Sequence, residues 1–181
     1  MKKFGAPLRD SFRNFYGPEN GLLYYMFKIR IITLGKFKEK AFKELEDEYV
    51  KRLSPFAKLK IIELPEIPYK DGQDIDNIKQ REAEKIAKQL LGGGIVILLE
   101  EKGTLRNSQE FAAFLERTGG LGKEVVFVIG SGIGLHDSLK QYSNYTISLS
   151  PLTFTHNFAR VLLEEQIYRA CTILVGKKYH K

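Results

Sequence analysis

Two short runs of this chain are apolar at every position. Ile95–Leu99 (IVILL) and Val125–Ile129 (VVFVI) carry no polar side chain. A strand with one wet face alternates apolar and polar residues, whereas a strand without alternation is covered on both faces. Two such strands demand layers of helix above and below a sheet. The rest of the chain supplies them. Lys28–Leu34 (KIRIITL) and Leu59–Leu64 (LKIIEL) read as strands, bounded by Gly35 and Pro65, and Tyr145–Leu149 reads as a fifth. Between them, Lys38–Leu53 has Phe42, Leu45, Tyr49, Val50 and Leu53 at helical spacing. Asp74–Leu91 has Ile75, Ile78, Ala83, Ile86 and Leu90, and ends at Gly92-Gly93-Gly94. Ser108 is placed to cap a helix through Arg117, and a last helix spans roughly Thr155–Val175. Strands alternating with helices predict a three-layer α/β fold with a mainly parallel five-stranded sheet.

In such sheets ligands bind beyond the carboxyl ends of the strands. Three segments lie there: Leu99–Gly103, Gly130–Gly134 and Leu149–Phe154. The glycine spacing Gly130-x-Gly132-x-Gly134 departs from the dinucleotide fingerprint by one position and follows the fourth strand, not the first. It therefore reads as a tight turn with exposed N–H groups, suited to a ligand whose adenine is read by main-chain amides.

Lys and Arg exceed Asp and Glu by 29 to 22, a net charge of +7. That balance favours a polyanionic partner, nucleic acid above all. The single cysteine, Cys171, has no internal disulfide partner, which suits a reducing, cytoplasmic setting, and its apolar helix face predicts an inert core thiol. No apolar run approaches the length of a membrane span. Residues 1–25 show no period and are punctuated by Gly5, Pro7, Gly17, Pro18 and Gly21. They read either as a basic, aromatic RNA-touching arm or as an upstream extension of a domain that starts at Met26.

From Met26 to Lys181 the chain resembles the SPOUT methyltransferases. Within them it is similar to the ribosomal RNA large subunit methyltransferase H family. The resemblance rests on separated blocks in order. They are Ile129-Gly130 with Gly134-Leu135, Ser148-Leu149-Ser150, Thr153, and His156 with Ala159-Arg160-Val161-Leu162. Glu165-Gln166, Tyr168-Arg169-Ala170 and the terminal Tyr179-His180-Lys181 follow. The chain departs from the family pattern at Ser131, where a second glycine is usual, and at Glu100, usually Asp. It departs again at Thr155 and Lys178, both usually Pro.

The resemblance implies a C-terminal trefoil knot, which no periodicity would show. It implies S-adenosyl-L-methionine as cofactor, no metal, and methylation of N3 of a pseudouridine in bacterial large-subunit ribosomal RNA on the assembled ribosome. It also implies a homodimer in which one subunit's C-terminal tail completes the other's site. The cofactor residues expected are Leu99, Gly130, Ser131, Leu149, Ser150, Pro151, Leu152, Thr153 and Phe154. Pseudouridine N3 bears a proton at neutral pH, so the reaction needs a base or a cation beside the developing anion. His156, Arg169, Tyr179 and His180 are the candidates, and Arg160, Lys177, Lys178 and Lys181 the expected RNA contacts. His156 reads equally as a helix cap. Arg169 with Glu165, and Arg160 with Glu164, read equally as helix-surface pairs at i,i+4. No single residue stands out as a general base. Two other readings remain open: a non-catalytic RNA-binding module on the same fold, and a nucleotide-binding oxidoreductase.

Overall fold

The computed structural model describes residues 26–120 and 122–176. Its elements are β1 (Phe27–Leu34), α1 (Lys40–Leu53), β2 (Ala57–Leu64), α2 (Ile75–Leu90) and β3 (Ile95–Leu105). They continue with α3 (Ser108–Gly119), β4 (Glu124–Ile129), a 3-10 helix (Asp137–Tyr142), β5 (Tyr145–Ser148) and α4 (His156–Leu174). The sheet order is β2-β1-β4-β3-β5, and each of the four pairings is parallel.

The apolar strands do what their lack of alternation requires. On β4, Val125, Phe127 and Ile129 face one layer, packed with Leu163, Ile167 and Ala170 of α4 and Phe111, Phe114 and Leu115 of α3. Val126 and Val128 face the other layer, with Ala83, Ile86 and Leu90 of α2 and Leu139 of the 3-10 helix. Phe127 and Val128 are both fully buried, and each such side chain contributes about 1.5–3 kcal/mol of apolar burial.

The structure departs from the sequence reading in several places. β3 does not stop at Leu99. It resumes at Thr104, so that Leu99 and Thr104 both stand opposite Ile147 and residues 100–103 leave the ladder between them. Gly103 makes this possible, because a Cβ there would overlap the backbone of Ile147. The cap of α3 is Asn107, not Ser108. Its side chain accepts the Glu110 N–H at 2.9 Å while Glu110 Oε2 accepts the Asn107 N–H at 2.9 Å. The inward stripes of two helices also differ. Leu45 and Val50 of α1 are exposed, and so is Ile75 of α2. A charged residue is buried on each helix instead: Glu46 on α1 and Glu82 on α2.

Candidate functional site

Because β4, β3 and β5 are parallel neighbours, their carboxyl ends share one edge of the sheet. The segments after β4 and β5, at 130–134 and 149–154, are therefore gathered at that edge, and the 100–103 excursion within β3 leaves the ladder beside β5. Each is shaped by local bonding. After β4 the chain folds back on itself, with the Gly134 N–H donating to the Ser131 carbonyl at 2.9 Å. Gly134 takes φ +83°, and a Cβ on Gly130 would lie 2.7 Å from the Gly134 carbonyl carbon. Only glycine lets the two arms of this turn approach so closely. At Gly132 a Cβ would meet nothing within 4 Å, so the crest of the turn is open.

The turn is also anchored from below. Ser131 is buried, and its Oγ donates to Glu82 Oε2 at 2.8 Å. The other oxygen of Glu82 accepts the Ile67 N–H at 2.9 Å. After β5, Ser148 Oγ donates to the Ser150 carbonyl at 2.9 Å and Ser150 Oγ accepts the Leu152 N–H at 2.9 Å. These bonds hold Leu152 and Phe154 outward and exposed. Leu149 lines a small, open cleft with Thr104, Arg106, Phe111, Ile147, Ser148 and Gln166. Arg106 lays its guanidinium over the Phe114 ring at 4.3 Å.

α4 begins at this edge. Its cap is Thr155, whose Oγ1 accepts the Phe158 N–H at 3.5 Å, so His156 does not serve as the cap. His156 instead reaches the neighbourhood of the β1 and β2 ends. A Cβ on Gly35 would lie 3.7 Å from His156 Nε2 and 3.3 Å from Glu66 Oε2. Arg169, three turns on, bonds Glu165 through Nε at 3.0 Å and again through its Nη2. Both side chains are largely covered, so this i,i+4 pair is not a solvated one.

Arg160 requires a correction. It is 2% exposed and lies inside the protein, where a phosphate on a surface groove would not meet it. It pairs with Glu46, with Glu63 Oε1 at 2.9 Å and with Glu164 Oε1 at 3.8 Å, and its guanidinium covers the Phe37 ring at 4.2 Å. Glu164 is fully buried and its carboxyl is pushed up to about 8, first by burial and then by the charge of Glu46, against the pull of Arg160. Cys171 is buried as well, and burial pushes its thiol up to about 12, which leaves it protonated and unreactive. Lys177, Lys178, Tyr179, His180 and Lys181 lie outside the described residues. Among the described residues no group of three or more His, Cys, Asp or Glu could hold a metal ion, and no helix is long and apolar enough to cross a membrane.

Sequence reasoning missed Glu82, Arg106 and Gln166. Glu82 had a usable signal: it occupies α2's inward period between Ile78 and Ile86. Arg106 and Gln166 line one cleft although they are distant in sequence, which no local pattern shows.

Comparison with known proteins follows the same segments. A family described as "Predicted SPOUT methyltransferase" matches residues 27–180. The Ribosomal RNA large subunit methyltransferase H of Caldicellulosiruptor saccharolyticus is 44% identical over 153 residues, 84% of this chain and 99% of that protein. The protein of the same description from Desulforamulus reducens is 40% identical over 160 residues, 86% of this chain and 100% of that protein. Among solved structures, a probable methylase family protein from Haemophilus influenzae aligns with TM-score 0.49 at 16% identity, covering 83% of this chain and 67% of that one.

Proposed function

The chain belongs to the SPOUT methyltransferases, in the ribosomal RNA large subunit methyltransferase H family, and on that footing we propose that it transfers a methyl group from S-adenosyl-L-methionine to N3 of a pseudouridine in large-subunit ribosomal RNA. The observation that carries the reading is that the family match, residues 27–180, spans all three segments of the parallel edge.

The residues present fit an adenosyl group. The turn at Gly130–Gly134 is closed at its base and open at its crest, which leaves room for a ligand against the backbone at Gly132. Leu99, Gly130, Ser131 and Leu149–Phe154 would hold the cofactor. When bound, its sulfonium supplies an electrophilic methyl group. The protein's tasks are to set the nitrogen in line with that methyl group and to keep water out. The N3 proton must leave as the bond forms, so charge on the base has to be stabilised. His156 stands in the first turn of α4 and is a candidate to accept that proton. Arg169 supplies positive charge farther along the same helix, and Tyr179 and His180 act with it from the partner subunit. Lys177, Lys178 and Lys181 would contact RNA phosphates.

A homodimer follows from the same reading. Phe158 is 52% exposed beside Phe42, at 4.9 Å between ring centroids, and Leu152 and Phe154 are exposed nearby in sequence. A second subunit seated there would cover them and bring its C-terminal tail to the site. The trefoil knot belongs to the reading too, and it rests on the family match alone. The cytoplasm, where ribosomes are, is the proposed location.

The test is methyl transfer from labelled S-adenosylmethionine to ribosomes and to free ribosomal RNA, with the modified nucleoside identified by mass spectrometry. N3-methylpseudouridine made on ribosomes supports the reading; a label at any other position or none at all sinks it. Residues 1–25 precede the family match. Their deletion is expected to leave both the melting temperature and this activity unchanged.

A further inference from the structure

One face of α2 runs along the segment that follows β4. Asp76, Lys79 and Glu82 are spaced three residues apart, so they share a side of the helix. Each meets the segment at a different point. His136 Nε2 is 3.6 Å from Asp76 Oδ1. Lys79 Nζ stands 3.9 Å from where a Cβ on Gly134 would lie. Ser131 Oγ donates to Glu82 Oε2 at 2.8 Å. As α2 advances from 76 to 82, the segment runs back from 136 to 131, so the two lie antiparallel.

These contacts are unequal. The Asp76 side chain is 82% exposed, and screening leaves such a pair little strength. Glu82 is 2% exposed, and it accepts from two loops at once, through Ser131 Oγ and the Ile67 N–H. A buried carboxylate stays there only while its oxygens are bonded, so both loops are held to it. The turn cannot yield in its place, because Gly130 is already packed on the Gly134 backbone.

We propose that Glu82 is a positioning residue for the cofactor. Through Ser131 it fixes the turn after β4 in the shape that receives the adenosyl group, and through Ile67 it ties that turn to the loop after β2. The inference rests on the functional reading above. Its test is the affinity of the full chain for S-adenosylhomocysteine by calorimetry, set against the melting temperature without ligand. S131A removes the donor and is expected to weaken binding about tenfold while the fold persists. E82Q is expected to stay within about threefold of the unaltered chain, because its amide oxygen can accept from Ile67 and its NH2 can donate to Ser131 Oγ. E82A is expected to lose binding, and if it fails to fold, the S131A and E82Q pair decides. Unchanged affinity in S131A overturns the inference alone. So does an affinity loss in both S131A and E82Q that tracks their melting temperatures, since that marks a purely structural tie. An unaltered chain that binds neither S-adenosylmethionine nor S-adenosylhomocysteine overturns the functional reading and this inference with it.

Discussion

Glu46 and Glu82 occupy comparable places on opposite faces of the sheet. Each is the one charged residue its helix buries, and each is 2% exposed. Their surroundings have little else in common. Glu82 accepts two neutral donors at 2.8 and 2.9 Å, one for each oxygen. Glu46 lies among charges. It shares Arg160 with Glu63 and Glu164, and it shares Lys43 with Asp47. Among the described residues, both oxygens of Glu164 are buried with no hydrogen-bond partner. A buried carboxylate with its donors in place is a tie between loops. Several carboxylates around one guanidinium depend on that cation and on a proton. The two faces of one sheet thus use the same side chain in two ways, and substitutions can separate them.

The largest expected effect is on the α1–α4 side. R160M keeps most of the side-chain volume and removes the charge. It leaves Glu46 and Glu164 buried without their guanidinium and takes the cation from the Phe37 ring. Breaking such a cluster from one side costs about 3–5 kcal/mol. Urea unfolding would measure it, and R160K should recover only part, since an ammonium cannot reach several carboxylates in one plane. A loss below that of a surface substitution would mean that Arg160 stabilises nothing, and the contrast between the faces would fall.

The second effect is a pH dependence that only one face should show. The carboxyl of Glu164 is raised from an ordinary 4.5 to about 8. Between those values the folded chain holds a proton that the unfolded chain has released. Stability from the neutral carboxyl is therefore complete below the unfolded value and lost as pH rises through about 8. E164Q removes that titration. Relative to the variant, the unaltered chain should lose roughly 2–3 kcal/mol between about pH 6 and about pH 9. Parallel unfolding curves for the two proteins across that range would show that Glu164 stays charged throughout.

The two glutamates also mark where the sequence stops being legible. The apolar strands announced themselves, because burial on both faces forbids alternation, and the parallel sheet followed. That sheet in turn placed 130–134 and 149–154 at one edge with no knowledge of any contact. Helical period, by contrast, assigns charge to the outside. It put Leu45 and Val50 inward on α1, where the structure puts Glu46. What holds a buried glutamate is distant in sequence: Ile67 and Ser131 for Glu82, and a residue of the last helix for Glu46. The continuation of β3 past Leu99 was hidden for the same reason. Glu100–Gly103 reads as a polar loop, and only pairing with Ile147 recovers the strand at Thr104. The Arg160–Glu164 spacing was visible, but its burial was not, because the two carboxylates that cover Arg160 come from α1 and β2.

The smallest effect belongs to the α2 side. S131A deletes one hydrogen bond to Glu82 and keeps the other, from Ile67. One buried bond to a charged acceptor is worth about 1.5–3 kcal/mol, and in a chain of this length that lowers the melting temperature by about 3–12 °C. The size of the loss matters less than its shape. The lost donor is a hydroxyl that does not titrate in the range of interest. The cost of S131A should therefore be the same at about pH 6 and about pH 9, where E164Q and its parent diverge. A cost for S131A that changes with pH would mean that ionisation governs this face as well. The α2 face would then share the charge tension of the α1 face, and the difference between the two glutamates would be one of degree.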